Sequence, residues 1–243
     1  MNSLTSIPDH AIVLAAGLGK RMRPLTNSTP KPLLQVANKA LLDHGLDALA
    51  AAGVTKSVVN VHYLAEQIKT HVADRRVPKI TISDERDLLL DSGGGVKNAL
   101  KELGTSPFFL LNADSFWIEG HGLNLVKMSN EWVDDNIDIL LLLSPLEKAV
   151  GFSGKGDFFM NQTGQLTRRG EKDVAPFIYA GAAILSPKIF ENTPDGAFSL
   201  NRLFDEAIEK GRLFGTQMDG LWLHVGAPPS IAEAEQAISK YLS

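Results

Sequence analysis

The sequence predicts an α/β fold built from parallel βαβ units, and two observations carry that prediction. From residue 11 to residue 112, short apolar runs alternate with stretches whose hydrophobic residues recur every three or four positions, the strand–helix–strand order of a parallel sheet. The first of these runs ends in a loop rich in glycine and cations, Gly17-Leu18-Gly19-Lys20-Arg21, at the kind of strand end where parallel sheets bind ligands.

Each element has its own signal. Residues 11–16, AIVLAA, form a continuous apolar run, as in a strand buried on both faces. Over 39–52, Leu42, Leu46 and Leu49 fall at helical spacing, with Gly53 as a C-cap. Residues 57–61 read as a second strand, Leu64, Ile68 and Val72 as a second helix, and 79–83 as a short alternating strand. Asp91-Ser92-Gly93-Gly94-Gly95 opens a helix carrying Val96, Ala99, Leu100 and Leu103, and 107–112 is a strongly apolar strand. A helix is predicted over 123–132 and a buried strand over 137–143. Short strands at 157–160, 165–169 and 177–185 make the middle of the chain β-rich. A helix over 199–210 capped by Gly211, strands at 213–218 and 221–225, and a closing helix over 228–242 with proline in its first turn complete the chain. No internal repeat, low-complexity tract or linker divides it.

Bulk properties exclude several functions. The 243 residues are 44% hydrophobic and 21% charged, ordinary values for a soluble globular protein with a sizeable core. A net charge of −4 supplies no overall basic field to recruit nucleic acid or an anionic membrane. Cysteine is absent, which removes a disulfide framework, a thiolate nucleophile and a cysteine zinc site. The opening MNSLTSIPDH lacks the basic and apolar regions of a secretory signal, and no apolar run approaches a membrane span, so the expected location is cytoplasmic.

The first loop carries the strongest chemistry. Its two glycines let the backbone turn tightly and come close to a ligand. Lys20 and Arg21 follow at once, and Lys31 is fixed between Pro30 and Pro32. Backbone N–H groups and two or three cations on one loop suit a triphosphate. The string is neither a Rossmann fingerprint, lacking a third glycine at the right spacing, nor a P-loop, lacking G-K-[ST]. A basic surface turn is the alternative for a bare G-x-G. Asp114, just after the apolar strand ending in Asn112, is a candidate Mg²⁺ ligand, against the alternative of a turn or N-cap aspartate. The triple glycine at 93–95 suits close backbone approach or a plain flexible turn. There is no Ser/His/Asp or Cys/His nucleophile set.

The whole opening string, G-x-G-x-R-M-x-P-L-T followed by P-K-P-L, resembles the signature of the sugar-1-phosphate nucleotidylyltransferases. The resemblance covers nearly the whole chain, with residues 11–34 its highly specific part. It implies a three-layer α/β/α Rossmann-like, glycosyltransferase-A-like fold with a mixed, mainly parallel sheet. Residues 1–243 would form one nucleotidyltransferase domain: a nucleotide-binding half over about 8–115, a sugar-phosphate portion over about 116–227 and a C-terminal helix over 228–243. The implied reaction joins an NTP to a sugar 1-phosphate, giving an NDP-sugar and pyrophosphate.

The resemblance also implies site residues. Leu14, Ala15, Ala16, Gly17, Gly19, Lys20 and Arg21, with Ser92, Gly93 and Gly94, would bind the nucleotide. Asn112, Gly156, Asp157, Glu171, Lys172 and Gly181 would bind the sugar phosphate, and Asp114 the Mg²⁺. Two polyanions must meet, so cations placed in advance are the main requirement. Arg21, with its planar fork, suits the pyrophosphate side, and Lys31 is a fixed point charge on the α-phosphate or the leaving group. Arg169-Gly170-Glu171-Lys172 resembles the family's E-K-P element, with Asp173 in the proline's place; a charged hairpin tip is the alternative. Tyr179-Ala180-Gly181 matches the small-residue strand that follows.

One departure stands out. The family's W-x-D-x-G ending carries a second metal aspartate, whereas Trp222-Leu223-His224-Val225-Gly226 has histidine there. Imidazole is a poorer partner than carboxylate for Mg²⁺. His224 could hold a softer divalent ion or a metal-bound water, Asp157 or Asp219 could substitute, or the site could work with one carboxylate or be impaired. The short length, the D-S-G-G-G turn and the W-x-H-V-G ending look closest to N-acetylmuramate 1-phosphate uridylyltransferases. Mannose-1-phosphate guanylyltransferases share the opening signature. UTP is therefore the favoured nucleotide with GTP the alternative, the other substrate is a sugar 1-phosphate, and neither nucleic acid nor membrane is expected. A monomer or homodimer is expected. A non-catalytic nucleotide-sugar sensor on the same fold is the rival from another class, favoured by His224 and opposed by the intact Arg21, Lys31 and Asp114. A glycosyltransferase is a further rival, but Asn112-Ala113-Asp114 is only half of the D-x-D it would need.

Overall fold

A computed structural model of the chain describes residues 7–133 and 135–243; the opening MNSLTS, expected to carry no secretory signal, lies outside the described residues. The first half follows the predicted alternation: β1 (His10–Leu14), α1 (Leu41–Ala51), β4 (Lys56–Val61), α2 (Ala65–Val72), β5 (Lys79–Asp84), α3 (Asp91–Leu103) and β6 (Phe108–Asn112). Between β1 and α1 lies a small hairpin, β2 (Gln35–Val36) and β3 (Lys39–Ala40), of which the sequence reading takes β3 into the helix and does not contain β2. Its two-residue turn puts Ala37 and Asn38 both at positive φ, the geometry of a type I′ hairpin; alanine there is an uncommon signal. The second half contains β7 (Ser115–Glu119), α4 (Asn124–Glu131), β8 (Ile139–Pro145), β9 (Phe158–Met160), β10 (Leu166–Arg168), β11 (Phe177–Leu185), α5 (Leu200–Glu209), β12 (Leu213–Gln217), β13 (Gly220–His224) and α6 (Pro229–Tyr241).

The main sheet runs β12–β8–β11–β6–β1–β4–β5, with the β9–β10 hairpin joined at Phe177. β6, β1, β4 and β5 are mutually parallel, β8 and β12 are parallel, and β11 alone runs against both its neighbours. The predicted mixed, mainly parallel sheet is what forms. Alternate side chains of each strand serve opposite faces. Ala11 and Val13 pack with Leu42 and Leu46 of α1 and Ile68 of α2, and Ile12 packs with Val96 and Ala99 of α3 and Phe204 of α5. Helices therefore cover both faces, giving three layers. A third cluster seats α6 through Ala234 and Ile238 against Met22, Phe116 and Leu223.

Two features of this topology position the site. β1, β4 and β6 end on one edge, and the antiparallel β11 begins there, so Leu14, Asn60, Asn112 and Tyr179 all gather at that edge. β7 and β13 then form a separate antiparallel pair whose register sets His224 opposite Ser115, the residue after Asp114. The sequence reading contains β13 but not β7, so it lacks the pairing that unites them. No helix among the described residues is long and apolar enough to cross a membrane.

Candidate active site

The strand edge opens into a cavity of about 550 Å³. Leu14, Ala15, Ala16 and Gly17 form one wall, Lys31 and Ser92 stand in others, and Asn112 and Asp114 lie at the end of β6. These eight predicted residues share one space although they come from three separate stretches of sequence. A β-carbon at Gly17 would meet nothing within 4 Å, so no protein atom demands glycine there; the open space over the backbone is the cavity's own.

The charge cluster sits at the end of β6. Lys31 Nζ donates to Asp114 Oδ2 at 3.0 Å, with side chains 12% and 33% exposed. Burial would push the Asp114 carboxyl up, but Lys31, His224 and Arg21 outweigh it and hold the group below the ordinary carboxylate range. Asp114 is thus ionised throughout the physiological range. His224 has its pKa pushed down by burial first, opposed by Asp114 and helped by Lys31 and Arg21, so its imidazole is neutral at pH 7. It stacks on Trp222 at 6.0 Å and meets Phe152 edge-on at 6.4 Å. The backbone fixes its position: Val225 N–H donates to the Asp114 carbonyl at 2.9 Å, and His224 N–H donates to the Val150 carbonyl at 2.9 Å.

Two polar residues in the cavity wall escape the sequence reading. Asn60 Oδ1 accepts from the Ala15 N–H at 2.7 Å, and its Nδ2 donates to Glu85 Oε1 at 2.8 Å. Glu85, 3% exposed, accepts from the Leu90 N–H through its other oxygen at 3.2 Å. One relay therefore ties the phosphate-type loop to the turn before α3. A polar residue near the end of a buried parallel strand, as in Val58-Val59-Asn60-Val61, is the signal that could have found it.

Several predicted residues stand outside the two cavities or make other contacts. Gly93 and Gly94 do not line the cavity; both N–H groups donate to the Phe198 carbonyl, at 2.8 and 3.1 Å. A β-carbon at Gly93 would overlap the Phe198 ring, one at Gly94 the Gly196 carbonyl, and one at Gly95 would lie 2.8 Å from Asn60 and Glu85. The triple glycine is a close-packing device at the start of α3. Gly19 sits at φ +60° and starts the short helical turn over Lys20–Met22, with Lys20 exposed outside the cavity. Glu171 and Lys172 are exposed on the loop after β10 and line neither cavity described here; Arg169 ties that loop down by donating to the carbonyls of Gly156, Gly170 and Glu171.

Asp157 is also a structural residue, its Oδ2 accepting the Tyr179 N–H at 2.9 Å. Gly156, at φ +75°, lies against the Ala175 carbonyl and outside both cavities. Gly181, at φ +83° where the β11–β8 register shifts, leaves room for Ser115 Oγ and lies beside Asn112. Asp219 pairs with His121 at 3.0 Å at the opposite end of β13 from His224, roughly 16 Å along a strand. It cannot substitute for a metal carboxylate beside Asp114.

Arg21 and His224 face a second cavity, of about 480 Å³, between residues 151–154 and the start of α6. No group of three or more His, Cys, Asp or Glu among the described residues could hold a metal ion. At the charge cluster Asp114 offers a hard carboxylate oxygen of the kind Mg²⁺ prefers, and His224 a neutral nitrogen. This donor set fits Mg²⁺ only where substrate phosphates complete the shell, which is the common way Mg²⁺ is bound.

Comparison with known proteins agrees with this geometry. The profile of the nucleotidyl transferase family matches residues 10–241. The chain is 42% identical over 241 residues, 98% of its length and 100% of the relative's, to an N-acetylmuramate alpha-1-phosphate uridylyltransferase of Caulobacter vibrioides. It is 27% identical to a mannose-1-phosphate guanyltransferase beta-A of Xenopus laevis, covering 90% of this chain and 61% of that one. Among solved structures, HddC from Yersinia pseudotuberculosis complexed with GMP-PN superposes with a TM-score of 0.76 at 23% identity, over 94% of this chain and 99% of that one.

Proposed function

The chain belongs to the nucleotidyl transferase family, and from that premise we propose that it transfers a nucleotidyl group from an NTP to a sugar 1-phosphate, with UTP and N-acetylmuramate 1-phosphate as its pair. The observation that carries the proposal is the meeting of Gly17, Lys31 and Asp114 in one cavity beside Arg21 and His224, in a chain matched end to end by an N-acetylmuramate alpha-1-phosphate uridylyltransferase. Such an enzyme would serve cell-wall sugar recycling in the cytoplasm.

The chemistry follows from charge. An ionised phosphate oxygen of the sugar 1-phosphate attacks the α-phosphorus, the bond to the β-phosphate oxygen breaks, and pyrophosphate leaves. A phosphomonoester has its second pKa near 6, so the nucleophile needs no general base. Lys31 stabilises charge on the α-phosphate, and Arg21, which makes no hydrogen bond or ion pair among the described residues, takes the leaving side. Backbone of residues 14–17 lies against the nucleotide, and Asn112 flanks the acceptor. Mg²⁺, bound through Asp114 with His224 alongside, would add charge neutralisation between the two substrates.

The test is pyrophosphate release with Mg²⁺, crossing UTP, GTP, dTTP and CTP against N-acetylmuramate, mannose and glucose 1-phosphates. Strong turnover of the UTP–N-acetylmuramate pair is expected. Turnover led by GTP with mannose 1-phosphate would replace the proposed pair, and a blank grid from folded protein would overturn the proposal.

A further inference from the structure

Among the described residues one buried side-chain polar atom has no hydrogen-bond partner, the hydroxyl of Tyr179 in β11. Folded proteins pair nearly all such atoms, because a donor left bare away from water costs free energy. An internal water or a ligand that brings an acceptor would satisfy it. Its setting favours the ligand. Tyr179 stands at the strand edge that opens into the site, on the sheet face it shares with Leu14. Two residues along, a β-carbon at Gly181 would lie 3.4 Å from that of Asn112, so Tyr179 comes just beyond the residue that flanks the acceptor. Its ring meets Phe204 edge-on at 5.6 Å and is partly exposed, while the hydroxyl is covered with no hydrogen bond to keep it there. Asp157 fixes the backbone at this point by accepting the Tyr179 N–H at 2.9 Å.

We propose that the Tyr179 side chain binds the acceptor, its hydroxyl donating to an oxygen of the sugar 1-phosphate. The inference rests on the transfer reaction proposed above. A phenol suits this place. Burial first, and the Asp114 charge second, push its pKa up, so it stays protonated and remains a donor beside the charge cluster. A carboxylate here would repel a phosphate, and an ammonium would be drawn to Asp114; a neutral hydroxyl does neither. The partly exposed ring supplies the path, since rotation about the Cα–Cβ bond carries the hydroxyl from its covered position toward the strand edge. The free protein thus holds an unpaired donor that acceptor binding pairs, and the hydroxyl distinguishes the empty site from the loaded one. Asp157 acts on the acceptor through Tyr179, by setting where the strand presents the phenol.

Calorimetric titration of N-acetylmuramate 1-phosphate and of glucose 1-phosphate into wild type and Tyr179→Phe tests this. Magnesium is present, together with a saturating UTP analogue in which a methylene group replaces the oxygen between the α- and β-phosphates. Loss of one hydrogen bond to the ligand predicts sugar 1-phosphate binding about tenfold weaker in Tyr179→Phe. Affinity for the UTP analogue should stay within about twofold, because the variant removes a single atom outside the nucleotide cavity. The unfolding midpoint of Tyr179→Phe should be no lower than that of wild type, since the atom removed is an unpaired buried donor. Unaltered acceptor affinity would overturn the inference. So would an equal loss for acceptor and nucleotide, which would mark general damage to the site. A lowered midpoint with acceptor affinity unchanged would assign the hydroxyl to an internal water and overturn it likewise. Wild type that binds neither sugar 1-phosphate overturns it outright. Failure of the transfer reaction reads out separately, as wild type that binds a sugar 1-phosphate but releases no pyrophosphate from any nucleotide.

Discussion

The two halves of the site are built differently. On the phosphate-loop side, residues 14–17 and Lys31 come from a single stretch of sequence, and their geometry follows from local rules: a strand end, a left-handed Gly19, and a lysine between two prolines. On the His224 side, the same kind of closeness is made at long range. β7 pairs with β13, Val225 bonds back to Asp114, and the segment at 151–154 closes over α6. The first side presents a cation already engaged, Lys31 on Asp114; the second presents Arg21, which makes no hydrogen bond or ion pair among the described residues. A site can thus be half written in a motif and half in a fold.

Substitutions can break this comparison. The largest effect is expected from Lys31→Ala and Asp114→Asn, each lowering turnover on the order of 10²–10³-fold with the unfolding midpoint little changed. Near-normal steady-state rates would remove the motif side from the chemistry. Next, His224→Asp should shift the preferred ion toward Mg²⁺ over Mn²⁺ by about tenfold, since carboxylate replaces imidazole beside Asp114. Activity titrations with the two ions would check it, and indifference would make His224 a packing residue. Gly94→Ala should cost about 1–3 kcal/mol of stability, because its β-carbon would overlap the Gly196 carbonyl. Denaturant unfolding of the variant reads that out.

Lys172→Ala should change turnover by less than about threefold, since the side chain is exposed and away from both cavities. A loss as large as that of Lys31→Ala would show that the loop after β10 closes on substrate. The smallest effect tests the seam between the halves, where His44 of α1 stacks on Phe116 of β7 at 3.9 Å and its Nε2 lies 3.1 Å from the Val36 carbonyl. Burial, only partly offset by that carbonyl, pushes its pKa below the ordinary 6.5. The unfolded ring then takes a proton that the folded ring resists, so stability is full above about pH 6.5 and declines on acidification below it. Unfolding midpoints of His44→Gln should show a flatter decline than wild type over that range.

Sequence alone carried the architecture well, and the site unevenly. Helical spacing and apolar runs located every α-helix and all the main-sheet strands among the described residues, because burial imposes periodicity locally. β7 escaped because a short strand off the main sheet, SFWIE, has no long apolar run to announce it. The family resemblance marked His224, but its partner β7 and the Asn60–Glu85 relay depend on contacts between distant segments. The glycines at 93–94 misled for a related reason. A glycine signals that something comes close, and here the visitor is the protein's own Phe198 and Gly196 instead of a ligand.

Those glycines set the terms on which this cavity can be re-engineered. Three consecutive positions are each closed by a different neighbour, an aromatic ring, a carbonyl and a carboxylate–amide pair, so no single replacement there is free of a second adjustment elsewhere. A directed-evolution library aimed at a new base would spend most of its members on misfolded protein if it sampled residues 93–95. Leu89 borders the same opening without that confinement, and diversity belongs there.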